Sequence, residues 1–155
     1  MACKQRDGNG YTPLMLAAYT GAMDVFKWLV DQPGSDLAAK AEVGDMEGTA
    51  IHLAVMRGQF AVANAILARL PETVHWLDAQ QCTPMIIAAQ NGEVMCGHLL
   101  LAHGADIHAS DEDGDTALHW AAYEGHENFV GFLMGLDGIA DELDGQKANA
   151  SFLER

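Results

Sequence analysis

The sequence predicts an all-α solenoid in which helix-turn-helix units stack in line, joined by β-turn or hairpin loops. Three observations predict it. A phrase that opens on Thr and runs into an Ala-rich stretch occurs four times: Thr12-Pro13-Leu14, Thr49-Ala50-Ile51-His52, Thr83-Pro84-Met85 and Thr116-Ala117-Leu118-His119. The Thr-to-Thr steps are 37, 34 and 33 residues, and a Gly stands nine residues after each Thr, at Gly21, Gly58, Gly92 and Gly125. Beyond each Gly, apolar residues recur at i, i+1, i+3 and i+4, as in Val25, Phe26, Trp28, Leu29 and in Phe129, Val130, Phe132, Leu133, the spacing of one buried helical face. A repeated unit of this size cannot bury its own apolar face, so its copies must stack.

Each unit opens on a tight turn. Asp7-Gly8-Asn9-Gly10 and Asp111-Glu112-Asp113-Gly114 place Asp first and Gly fourth, as a type I turn favours. Thr then caps the inner helix with its hydroxyl, and Pro13 or Pro84 at the first helical position needs no amide partner. The inner helices are expected over Leu14 to Thr20, Ile51 to Arg57, Met85 to Asn91 and Leu118 to Glu124. Small pairs such as Ala17-Ala18, Ala88-Ala89 and Ala121-Ala122 let neighbouring helices approach, and the following Gly stops each helix in a left-handed conformation. The longer outer helix comes next.

The copies also differ. Gln81 stands where the turn favours Gly, and repeat 1 carries four extra residues around Asp31-Gln32-Pro33-Gly34-Ser35, which predict a protruding loop. Repeat 2 closes with Leu70-Pro71-Glu72-Thr73 where repeat 3 has Gly104-Ala105-Asp106. The chain reads as a single domain, 1–155, with repeats at about 7–40, 41–77, 78–110 and 111–143. Residues 144–155 are a partial fifth repeat or a cap, because Asp144-Gly145 and Asn149 fall where a fifth turn and Thr belong. Met15, Leu16, Phe26 and Trp28 are strongly apolar for a terminal repeat. The expectation is therefore a piece of a longer protein with weak self-association through its ends.

Composition narrows the function. Eight basic against 22 acidic side chains give a net charge of −14, which repels phosphate and disfavours nucleic acid. It suits a basic or neutral partner, or solubility alone. No apolar run reaches the ~18–20 residues of a membrane span, so no membrane contact is expected of this chain. Cys3, Cys82 and Cys96 are an odd set without a close pair, which points to a reducing, cytoplasmic setting. Cys96 occupies a slot filled by Val25 and Val62 and reads as core.

No cofactor, metal or catalytic residue is expected. His98, His103 and His108 are five apart and do not share a helical face. The Asp111, Asp113, Asp115 run has Gly at the fourth position where a calcium loop needs it at the sixth. Nucleophile elbows, phosphate loops and dinucleotide fingerprints are missing, and the chain does not read as an enzyme.

The function is expected on the exposed side of the inner helices and the turn tips, where solenoids present a concave surface. The freely varying positions there supply Tyr11, Tyr19, Met46, Met56, Arg57, Gln90, Asn91, Trp120, Tyr123 and Glu124 as candidate partner-binding residues. Asn9, Thr20, Asp45, Gln80, Cys82, Glu112, Asp113 and Asp115 belong to the same positions. Tyr19 and Tyr123 are either binding anchors or packing against adjacent repeats. Trp120 fills a slot that holds Leu16, Leu53 and Ile87 elsewhere, positions expected to be half-buried. Its ring either fills space between inner helices or faces the groove with its N–H free for a ligand. His52 and His119 are expected to hydrogen-bond within the turns.

From about Asp7 to Asp144 the chain resembles ankyrin-repeat domains, on the T-P-L-H-x-A phrase at a period of about 33 residues. That resemblance implies a module that binds proteins. A finer likeness rests on Cys82 to Gly92, Asp113 to His126 with its Leu118-His119-Trp120-Ala121-Ala122 phrase, and Asn9 to Tyr19. These segments are similar to the cytosolic N-terminal ankyrin domains of DHHC-type protein S-acyltransferases (palmitoyltransferases). The likeness implies recruitment of substrate proteins through short peptide segments, with Trp120 as the peptide-reading residue at the cytosolic face of a membrane. Acyl transfer would then reside downstream, in a DHHC region outside this chain. The alternatives are a stand-alone scaffold or regulatory inhibitor, a domain of another ankyrin protein, and an ankyrin-containing enzyme of a different type.

Overall fold

Turn chemistry sets the pitch of the molecule. In the computed structural model, which describes residues 2–41 and 48–136, Asp7 Oδ1 accepts from the amides of Asn9 and Tyr11, both at 2.9 Å. Asp78 Oδ1 does the same for Gln80 and Cys82, and Asp111 Oδ1 for Asp113 and Asp115. The Asp7 and Asp111 turns continue through Gly10 at φ 81° and Gly114 at φ 84°. Gln81 takes the same left-handed place at φ 62°, a conformation that costs a side-chain-bearing residue about 1–2 kcal/mol. Ser110 and Thr116 form an antiparallel bridge behind the last turn, giving the expected hairpin.

Each turn delivers Thr to a helix start. Thr12 and Thr83 Oγ1 accept the amides of Met15 and Ile86, both at 3.3 Å, with Pro at the first helical position. Repeats 2 and 4 have Ala there and an imidazole at the third position. His52 Nδ1 accepts the Thr49 amide at 3.2 Å, and His119 Nδ1 accepts that of Thr116 at 3.1 Å. Both histidines thus act inside the turns, as expected.

Eight α-helices follow among the described residues. The inner layer is α1 (Pro13–Thr20), α3 (Ala50–Met56), α5 (Pro84–Asn91) and α7 (Ala117–Tyr123). The outer layer is α2 (Met23–Val30), α4 (Phe60–Arg69), α6 (Val94–Ala102) and α8 (Glu127–Met134). Each inner helix packs on the next inner helix and on its own outer helix. Gly21, Gly58, Gly92 and Gly125 separate the members of each pair at φ between 66° and 76°.

One continuous core runs through the stack. It contains Phe26, Ile51, Ile66, Met85, Ile87, Leu100, Phe129 and Leu133 together with the alanine pairs. A second cluster of Met15, Ala41 and Leu53 sits under Tyr11, Tyr19 and Met56.

The residues after Gly58, Gly92 and Gly125 reach back to the preceding repeat. Gln59 Nε2 donates to Tyr19 O at 3.2 Å, and its amide lies where a Cβ on Gly21 would project. Glu93 covers Gly58 in the same way. His126 covers Gly92 and sets its Nε2 2.9 Å from Gln90 O.

Two expectations need correction, each at a pair of residues. Val25 and Trp28 do not share the buried face of α2; they are 53% and 64% exposed, while Phe26 and Leu29 are buried. Their counterparts meet a preceding repeat, as Phe129 and Phe132 meet Gly97, where an added Cβ would come within 3.0 and 2.9 Å of their rings. No such helix pair precedes repeat 1 among the described residues. Leu53 and Ile87 are fully buried, not half-buried, because both neighbours cover them.

The insertion in repeat 1 curls back on α2, with Ser35 Oγ donating to Leu29 O. The end of repeat 2 forms a short 3-10 helix, Pro71–His75, which buries Thr73 and Val74 in place of the missing Gly-Ala-Asp. The expected partial fifth repeat at 144–155 and the tip residues Asp45 and Met46 lie outside the described residues.

Candidate interaction surface

The last turn and α7 build one rigid corner. Asp111 is buried, and while its Oδ1 holds two turn amides, its Oδ2 accepts from Trp120 Nε1–H at 2.7 Å. A hydrogen bond to a charged acceptor is about twice as strong as a neutral one, so the indole is pinned. The N–H of Trp120 is therefore not free for a ligand. Its half-buried ring packs partly on the core and turns toward Tyr123, whose ring meets it edge-on with centroids 5.8 Å apart at 83°. Tyr123 is 49% exposed. Asp113, Asp115, His119, Trp120 and Tyr123 enclose a hollow of about 210 Å3.

The first repeat builds the corresponding place. Asp7, Asn9, Tyr11, Leu16 and Tyr19 line a hollow of about 240 Å3. Tyr19 is half-buried, and the Arg57 guanidinium carbon lies 5.0 Å from its ring centroid, a cation–π contact from the next repeat. Tyr19 thus packs on a neighbour, and its ring also lines an open hollow.

The remaining candidates are less available. Gln90 is partly buried, its side-chain amide directed at Cys82 Sγ 3.9 Å away, and its carbonyl receives His126. Asn91 returns its Nδ2 to Ile87 O at 2.9 Å, within its own helix. Met56 is half-buried over the second cluster, whereas Arg57 and Glu124 are exposed.

Cys82, expected at the tip surface, is buried. Burial and the neighbouring Asp78 and Asp111 carboxylates push its thiol up to about 12. Cys96 is core as expected, with burial and Glu93 raising its thiol to about 11. Neither forms a thiolate near neutrality.

His52 is the other buried polar group of this region. With Nδ1 accepting from Thr49, its Nε2 lies 3.0 Å from Trp76 O and 3.2 Å from Cys82 O, tying repeat 2 to the turn of repeat 3. Burial lowers its pKa, against the pull of Asp78 and of those two carbonyls.

Sequence reasoning missed the Asp111–Trp120 pair. Its signal is an Asp nine residues before an indole, which repeats 1 and 3 replace with Leu16 and Ile87. It also missed a hollow of about 480 Å3 between Val30, the insertion of repeat 1, Arg69, Leu70 and Trp76. Two irregular connections create it, and neither follows the repeat pattern.

Stacked helix pairs with turn tips and a varied inner face define an interaction module of the repeat class. The family model described as "Ankyrin repeats (3 copies)" matches residues 1–73 and 51–142, and the chain belongs to the ankyrin-repeat family. It is 36% identical over 154 residues to Neurogenic locus notch homolog protein 1 of Xenopus tropicalis, covering 96% of this chain and 6% of that protein. It is 29% identical over 144 residues to Inversin of Canis lupus familiaris, covering 88% of this chain and 13% of that protein. The match to Ankyrin repeat and KH domain-containing protein mask-1 of Caenorhabditis elegans is 35% identical over 115 residues, 73% of this chain and 4% of that protein. The chain thus spans a small part of each of these relatives. Ankyrin repeats are protein-interaction modules, not catalytic ones.

Proposed function

We propose that this domain binds a partner protein or an extended peptide along its inner-helix face, with Trp120 and Tyr123 as the principal anchors. The observation that carries the reading is the Asp111-pinned indole with an exposed tyrosine edge-on to it. A pre-ordered aromatic pair loses little entropy on binding and offers a large contact area. Tyr11, Tyr19, Met56, Arg57 and Glu124 extend the face toward both ends. Gln90 and Asn91 contribute polar edges. Partner and domain meet in the cytoplasm, through protein contacts and not through nucleic acid.

A photo-reactive amino acid at Tyr123 tests the reading in cell extract. It should cross-link a protein that the same group at the outer-helix position Asn128 does not. The captured partner should then bind Tyr123→Ala about 2 kcal/mol more weakly in calorimetry, as for a hot spot. Equal affinity for wild type and variant overturns the assignment.

A finer reading places the domain as the substrate-recruiting part of a membrane-bound DHHC-type palmitoyltransferase. Its support is the Leu118-His119-Trp120-Ala121-Ala122 phrase. A downstream reading frame encoding a Cys-rich DHHC segment between apolar spans supports it, and a stop or an unrelated domain removes it, leaving a scaffold or regulatory inhibitor. The open leading face at Val25 and Trp28 supports weak end-to-end association with a second copy, read as a sedimentation coefficient that rises with concentration.

A further inference from the structure

The two hollows of the inner face occupy one register. Asn9, Tyr11, Leu16 and Tyr19 of repeat 1 correspond position by position to Asp113, Asp115, Trp120 and Tyr123 of repeat 4. Repeats 2 and 3 interrupt the pattern, placing Met56 and Gln90 at the tyrosine position and the buried Leu53 and Ile87 at the indole position. Both hollows combine aromatic rings with carboxylates: Tyr11 and Tyr19 with Asp7, Trp120 and Tyr123 with Asp113 and Asp115.

That combination suits a cationic side chain. The ring quadrupole attracts the charge, the carboxylate completes the pairing, and the apolar stem lies along the ring. The molecule supplies its own example in Arg57, held 5.0 Å from the Tyr19 ring centroid. The net charge of −14 acts in the same direction over longer range.

We infer that the inner face carries two cation-binding hollows in corresponding positions of repeats 1 and 4, and that its partner is an extended basic segment engaging both at once. The inference rests on the inner-face reading above and names the partner's chemistry. Stacked helices lie about 8–10 Å apart, so three repeat steps separate the hollows by about 24–30 Å. An extended chain advances about 3.3 Å per residue, so the two Arg or Lys side chains stand about seven to nine residues apart. Engaging both converts the second contact into an intramolecular one, which raises affinity without any new contact.

The test uses fluorescent peptides with two Arg-Arg pairs separated by about eight or about two Gly/Ser residues, and a peptide with one pair, read by anisotropy at low salt. The long-spaced peptide should bind at least about tenfold more tightly than the other two. Tyr19→Gln, and separately Trp120→Ile with Tyr123→Gln, should each reduce that advantage to within about twofold. These replacements are the chain's own residues at Gln90 and Ile87. Trp120→Ile gives up the bond to Asp111 and lowers the urea midpoint, so a native far-ultraviolet circular dichroism spectrum under the binding conditions excludes unfolding as the cause.

Affinity that follows Arg content alone, whatever the spacing or variant, overturns the inference in favour of diffuse attraction; absence of binding overturns it as well. Peptides that need Trp120 and Tyr123 but ignore spacing overturn the two-hollow arrangement and leave the inner-face reading intact. The cross-linking experiment at Tyr123 judges that reading separately.

Discussion

Replacing Gly92 by Ala probes how neighbouring repeats hold each other. Two effects add at this position. Gly92 has φ 69°, and a residue with a Cβ loses about 1–2 kcal/mol there. The new methyl would also stand 2.7 Å from His126 Nδ1, so the imidazole must move off Gln90 O and give up a hydrogen bond worth about 1 kcal/mol. The expected loss is about 2–3 kcal/mol. Gly125 supplies the internal control, since it has φ 75° but nothing within 4 Å of an added Cβ. Gly125→Ala should therefore cost only the backbone part, about 1–2 kcal/mol. Urea unfolding followed by far-ultraviolet circular dichroism measures both, with the m-value held common to the set. In a His126→Ala background the cost of Gly92→Ala should fall by about 1 kcal/mol, the coupling of a double-mutant cycle. Equal costs at Gly92 and Gly125, or a Gly92 cost indifferent to residue 126, would refute the reasoning.

Three further outcomes are expected. Gln81→Gly removes a left-handed side-chain residue and should stabilise the domain by about 1 kcal/mol in the same urea assay, after allowing for the extra freedom of Gly in the unfolded chain. His52 has a folded pKa below its ordinary 6.5, so its unfolded form binds a proton that the folded form does not. Stability present above pH 6.5 is therefore lost as pH falls through and below 6.5, and His52→Gln should flatten that slope in pH-dependent melts. A thiol reagent at pH 8 should leave Cys82 and Cys96 unmodified in the folded protein, their thiols lying at about 12 and 11, and modify both once urea unfolds it.

The fold was legible because its determinants are local. Asp and Gly at the turn, Thr at the cap and Gly at the helix end each act within about one turn of chain, and their spacing repeats. What escaped was set between elements. Burial of Cys82 and exposure of Trp28 depend on which repeat lies alongside, and periodicity assigns both to the same positions in every unit. Likewise, the indole of Trp120 was legible as an oddity, but its partner Asp111 was already explained by the turn. A carboxylate with two oxygens can serve two masters, and sequence reading stopped at the first. The 3-10 helix at Pro71–His75 replaces a missing connection, and no periodic pattern describes a substitute.

The backward-reaching residues also bear on modularity. An amide at Gln59, a carboxylate at Glu93 and an imidazole at His126 meet nearly identical glycine platforms. The units look interchangeable by architecture, yet repeats 2, 3 and 4 each carry a different plug for the upstream neighbour. Excising repeat 2 would place a carboxylate opposite Tyr19 O, where an amide donor stands now. A shuffled or shortened array would keep the architecture and lose the pairing at each seam. Exchange of single units between such arrays therefore preserves cohesion only when the residue after the helix-ending Gly travels with the seam it was fitted to.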